Sequence, residues 1–140
     1  MTQKLQEALQ QAQRLASKSS HAELKSGHIL QTLLEQEGGI LIPILQKAGL
    51  DVARLKQAVI DHLAKEPKVQ GSTSQPQLSY GLRANLEAAD DARESLGDDF
   101  LSVEHFLLGA LKSDSPAGKL LKDSGLTEAK ALESIKSVRG

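Results

Sequence analysis

The chain repeats itself. At an offset of 77 in the numbering, Leu5, Leu9 and Ala12 recur as Leu82, Leu86 and Ala89. At the same offset Ile29, Leu30, Leu33 and Leu34 return as Phe106, Leu107, Ala110 and Leu111. Ile44, Leu45, Gly49 and Leu50 are matched at an offset of 76 by Leu120, Leu121, Gly125 and Leu126, one position having been lost in a loop. An internal repeat on this scale governs every other reading, because whatever fold suits one copy must suit both.

Within each copy the apolar residues keep helical time. Leu5, Ala8, Leu9, Ala12 and Ala16 form one stripe, and Leu82, Leu86, Ala89 and Leu96 form its counterpart, with the spacing of a half-buried helix. The pattern predicts four helices per copy, near 3–18, 26–36, 40–48 and 52–64, then near 78–95, 103–113, 116–123 and 128–138. Gly49 and Gly125 are placed to end the third helices in a left-handed conformation. Asp51, Thr127 and Ser102 are placed as N-caps, and Pro43 and Pro116 fall in first turns, where a missing N–H costs least. GILIPIL, residues 39–45, is apolar nearly all round and reads as a short buried helix. KEPKVQGSTSQPQ, residues 65–77, carries two prolines and a glycine and reads as a linker. With no stretch alternating as a strand, the expected fold is all-α: one domain over 1–140, made of a first repeat (1–64), the linker (65–77) and a second repeat (78–138).

Composition limits the chemistry. Of the 140 residues none is cysteine, so neither disulfides nor thiolate metal sites are available. The formal charge of −1 gives no general attraction to nucleic acid or to an anionic membrane. The N-terminal segment lacks the apolar stretch of a secretory signal, and Ile40–Leu45 is far too short to span a bilayer. A soluble, cytoplasmic protein is expected. Tyr80, Phe100 and Phe106 are the sole aromatics, so the core must rely on Leu, Ile, Val and Ala.

Candidate chemistry centres on the helix starts. His28 and His105 occupy matching places in the two copies, and neither belongs to an HExxH pair. They read as equivalent joints rather than as partners in catalysis. Asp98, Asp99 and Glu104 cluster around the sixth helix, where acids also favour the helix dipole; contacts to a bound peptide suit them better than acid–base catalysis. No phosphate loop or nucleophile elbow is present. The reading is of a non-enzymatic fragment without metal or cofactor.

In order and spacing, EALQQAQRLA, LLEQEGG, LQKAGLD and GDDFLSVEHFLLGAL resemble the N-terminal domain of Clp-type AAA+ chaperones, over almost the whole chain. EPKVQG, residues 66–71, is similar to the inter-repeat linker of the disaggregating branch, ClpB, more than to that of ClpA or ClpC. The chain would begin a few residues short of the family's usual start, and SIKSVRG would lead toward the first ATPase module. The resemblance implies a mobile domain that engages unfolded or aggregated polypeptide and helps deliver it to the pore of a hexamer. The parent protein would use ATP and Mg and work with a DnaK-type chaperone system. Thr2, Asp98 and Glu104 stand at polar positions associated with N-domain activity in the family, and Ala88, Ala92 and His105, with Phe106 beside them, at its substrate groove. Ala88 and Ala92 share a face by their spacing alone, and their small size implies a shallow channel or close helix packing. The rival readings are an adaptor-docking domain of a ClpA- or ClpC-type protease chaperone, a stand-alone accessory protein of this fold, and a hydrolase or metalloprotein.

Overall fold

A computed structural model describes residues 1–69 and 75–140. Among them are eight helices: α1 (Gln3–Lys18), α2 (Ser26–Glu35), α3 (Leu41–Lys47), α4 (Val52–Ala64), α5 (Tyr80–Leu96), α6 (Val103–Lys112), α7 (Pro116–Asp123) and α8 (Glu128–Arg139). The caps account for their boundaries. Asp51 accepts from the Arg54 N–H, and Thr127 from that of Lys130. Thr2 and Ser79 do the same at the starts of α1 and α5. Gly49 and Gly125 hold φ of 86° and 101°, left-handed as their positions after α3 and α7 require. Helix α5 begins at Tyr80 rather than at 78 because the Ser79 hydroxyl takes the Leu82 N–H and so marks the helix start.

The fold is all-α as expected, with two very short strands added at the join of the units. β1 (Glu23–Leu24) and β2 (Gln77–Leu78) pair in parallel, Glu23 opposite Gln77 and Leu24 opposite Leu78. Elements this short carry no alternation, so no sequence pattern marks them; the pairing is made by main-chain bonds from Gln77 N to Ala22 O and from Ser79 N to Leu24 O. The described parts of the 65–77 segment, 65–69 and 75–77, are tied to the first unit. Val69 N bonds Ser20 O, Lys25 pairs with Glu66 at 3.0 Å, and Pro76 O accepts from Gln13. The rest of that segment, 70–74, lies outside the described residues.

The repeat is visible at single bonds. Thr2 N donates to Leu101 O at 2.8 Å. By the offset of 77, Thr2 corresponds to Ser79 and Leu101 to Leu24, so this bond is the counterpart of the one from Ser79 N to Leu24 O. The leading segment of each unit thus pairs with a loop of the other. The third helices bridge the units as well: α3 packs chiefly on α8, and α7, while seated on α6, also lies on α2 and α4. Ser26, fully buried in α2, receives the Ala117 N–H of α7 across this seam at 3.1 Å. One core of Leu, Ile, Val, Ala and Phe106 runs through both units. The expected short buried helix is α3, with Leu41, Ile44 and Leu45 inside.

Candidate functional site

The matching histidines build matching joints. His28 Nδ1 accepts the Lys25 N–H at 2.9 Å, and His105 Nδ1 accepts the Ser102 N–H at 2.9 Å. Each ring therefore satisfies an amide just ahead of its helix, and both residues are fully buried. With Nδ1 accepting, the ring hydrogen resides on Nε2. The copies differ in what that Nε2 meets. In the first unit it is His21 Nδ1 at 2.9 Å; in the second it is Asp98 Oδ2 at 2.7 Å. His21 and Asp98 are themselves related by the offset of 77, so one position has been changed from a base to an acid.

The acid recruits a further partner. Arg139, at the end of α8, reaches Asp98 Oδ2 with Nη2 at 2.7 Å and Glu104 Oε2 with Nε at 2.9 Å. Ser102 Oγ donates to the other Glu104 oxygen, and Arg93 Nη1 holds the Asp98 main-chain oxygen at 3.0 Å. Arg139, with His105 as second donor, lowers the Asp98 carboxyl below its ordinary value. Burial pushes Glu104 upward, but hydrogen bonds from Ser102, its own N–H and Arg139 outweigh that, and the net direction is down. Both acids are thus held as carboxylates at neutral pH.

Thr2 is tied to this end by its bond to Leu101. The neighbours in sequence of that bonded pair, Met1 and Phe100, are exposed to 47% and 66%. Two of the three aromatics, Phe100 and Tyr80, lie on the surface instead of in the core. Phe100 is discoverable by aligning the copies, since Glu23 is its counterpart.

The groove residues separate. Ala92, itself only 1% exposed, borders a cleft of about 430 Å³ between α5, α6 and α8, lined also by Leu96, Leu108, Lys112, Ala129 and Leu132. Ala88 is half-buried and does not line it. His105 and Phe106 face inward, at 0% and 1% exposure, because the first turn of α6 docks on α5 with its Phe106 carbonyl accepting from Asn85. The structure therefore brings Thr2, Asp98 and Glu104 to one end of α6, and Ala92 to a cleft whose nearest α6 residue, Leu108, is about one helical turn from Glu104. Among the described residues no group of three or more His, Asp or Glu is arranged to hold a metal ion, and no helix is long and apolar enough to cross a membrane.

The base-for-acid difference has a measurable consequence. Burial, with His21 adding to it, lowers His28 from 6.5 to about 4. Glu66 opposes this, and Lys25 and Lys68 face the same pair. As pH falls below 6.5 the unfolded chain takes up the proton first, so stability is complete above pH 6.5 and declines toward pH 4. The full difference corresponds to about 3 kcal/mol, which screening at the open side of the pair reduces to ~2 kcal/mol. Urea midpoints measured between pH 7 and pH 4.5 should show this decline. His28→Asn, whose amide oxygen still accepts from Lys25, should flatten it.

Two copies of one four-helix unit, interlocked through their third helices, define the protein's class as a double-repeat helical domain. Residues 1–124 match the family described as the Clp repeat (R) N-terminal domain, and the chain belongs to that family. It is 40% identical over 141 residues to the chaperone protein ClpB of Pseudomonas putida, an alignment that covers 100% of this chain and 16% of that protein. The N-terminal domain of Hsp104 from Candida albicans has the same fold, with a TM-score of 0.81 at 20% identity over 95% of this chain and 87% of that one. A ClpV N-domain solved in complex with a VipB peptide gives 0.77 at 22% identity, over 99% and 86% of the two chains.

Proposed function

We propose that this domain is the client-recognition module of a ClpB-type chaperone, capturing exposed segments of unfolded or aggregated polypeptide and passing them to the pore of the hexamer. The observation that carries the reading is the junction at the start of α6. There, two carboxylates bridged by Arg139 lie close in sequence to the exposed Phe100, and α6 runs from them to an apolar cleft about one helical turn along at Leu108. Apolar surface beside fixed charge suits a sequence-tolerant contact with chains that expose both kinds of side chain. The catalytic work, with ATP and Mg, belongs to parts of the longer relatives that this chain does not span, as do contacts within the hexamer and with a DnaK-type system; the setting is the cytoplasm. A surface this small must first offset lost rigid-body freedom, so a single contact should bind with a Kd of roughly micromolar to millimolar, and multiple copies raise the avidity.

The test is titration of the isotope-labelled domain with reduced, carboxymethylated α-lactalbumin, which stays unfolded. Shifts should cluster at residues 1–2, 92–104 and 132, and Asp98→Asn with Glu104→Gln should weaken binding about tenfold, the scale of one charge-assisted contact. Unaltered binding in that double variant, or shifts confined to Ile40–Leu45, would overturn the assignment. The alternative is an adaptor-docking role, and the ClpV N-domain that holds a VipB peptide is in keeping with either kind of partner. Saturable binding of one folded protein, with indifference to unfolded chains, would establish that role instead.

A further inference from the structure

We infer that Arg139 is a removable plug, whose guanidinium occupies within the chain the place a basic side chain of a bound polypeptide takes when the Arg139 side chain swings out. The inference rests on the functional reading above and adds to it what controls the site. The first support is the internal comparison. By the offset of 76 that relates α8 to α4, Arg139 corresponds to Leu63, and by the offset of 77 Glu104 corresponds to Gly27. In the first unit these two positions also meet: a Cβ on Gly27 would lie 3.2 Å from Leu63 Cδ2. A plain apolar contact therefore closes the joint in one copy, and the fold does not require an ion pair in the other.

The second support is where the clamp is anchored. Arg139 lies in the last turn of α8 with its side chain one-third exposed, so the guanidinium can leave through solvent without uncovering core. Glu104, by contrast, is 7% exposed in the buried first turn of α6. When Arg139 swings out, Glu104 keeps Ser102 and its own N–H but loses its countercharge. The neighbouring cation cannot replace it, because Arg93 is engaged by the Asp90 carboxylate at 2.7 Å and by the Asp98 carbonyl. What opens is a two-carboxylate seat already shaped for a guanidinium, beside the cleft at Ala92 and Leu108. A client with an arginine next to apolar residues competes with Arg139 for that seat. Weak resting affinity follows without any change of fold.

Acetyl-Leu-Arg-Leu-amide and its citrulline analogue, isosteric but uncharged, are the probes. Arg139→Gln should bind the arginine peptide about tenfold more tightly than the unaltered chain does, within the ordinary range of coupling between competing ligands. The citrulline peptide should show no such gain. An arginine peptide bound no better by Arg139→Gln overturns the proposal. Glu104→Gly combined with Arg139→Leu transplants the Gly27–Leu63 contact, and should keep cooperative unfolding while losing discrimination between the peptides. Retained discrimination there also overturns it. In the unaltered chain, the Arg139 Nε–H resonance should move toward its free position as the arginine peptide is added, and a resonance that stays put counts against the plug. If the acid variants lose α-lactalbumin while Arg139→Gln gains nothing, the plug alone fails; if the acid variants bind α-lactalbumin as before, the functional reading fails first.

Discussion

Gly109→Ala should destabilise the domain by about 3 kcal/mol, lowering Tm by roughly 10 °C for a chain of this size. Alanine is the better helix former by about 1 kcal/mol, so propensity alone predicts a gain. Geometry reverses the sign. A Cβ at Gly109 would lie 2.5 Å from Ala89 N, 2.6 Å from Asn85 O and 2.8 Å from Ala89 Cα. All three are main-chain atoms of α5, so no side chain can turn aside and the two helices must separate along their whole contact. The first copy supplies a comparison. Thr32 stands at the matching place, and its hydroxyl reaches Ala8 O on α1 at 3.1 Å. Thr32→Ala should therefore cost about 1 kcal/mol, one hydrogen bond. Chemical denaturation of both variants tests the contrast; equal losses would mean that α5 and α6 relax more readily than their main-chain contact indicates.

Phe106→Ala should cost about 3–5 kcal/mol, the range for removing a large buried aromatic. Phe106 is the largest fully buried side chain and lies at the join of α5 and α6. Phe106→Leu, which keeps most of the volume, should cost under about 1.5 kcal/mol. Its family position implies a groove residue, and the pair of variants separates the two roles. If Phe106 is core, client binding by folded Phe106→Leu matches that of the unaltered chain. A leucine variant that stays folded yet loses α-lactalbumin would return Phe106 to the binding surface.

Local structure is highly legible in the sequence because its signals are local. Asp51, Thr127, Gly49 and Gly125 announce their helix ends through side-chain reach and backbone freedom, and all four occupy those roles. Partnership between helices is not legible. Periodicity shows which face of α3 is apolar but not that the face lies on α8, so the pattern implies two repeats without showing that each third helix reaches into the other. The clamp escapes for the same reason, since Arg139 lies 35 residues from Glu104 and 41 from Asp98. Analogy sets His105 and Phe106 in a groove, while docking of α6 on α5 turns them in. Phe100 does carry a signal, an aromatic where the other copy has Glu23.

The bridging of the units by third helices and leading segments bears on how the domain comes apart. Neither half can shed its partner and stay closed: losing α7 strips α2 and α4, and losing α3 strips α8. Loosening one unit therefore uncovers apolar surface in both, and half-melted forms are held at high free energy. Such packing favours unfolding of the whole domain as one cooperative unit. For a domain whose proposed work is to meet sticky, disordered chains, that coupling keeps the captor from joining the aggregate it handles.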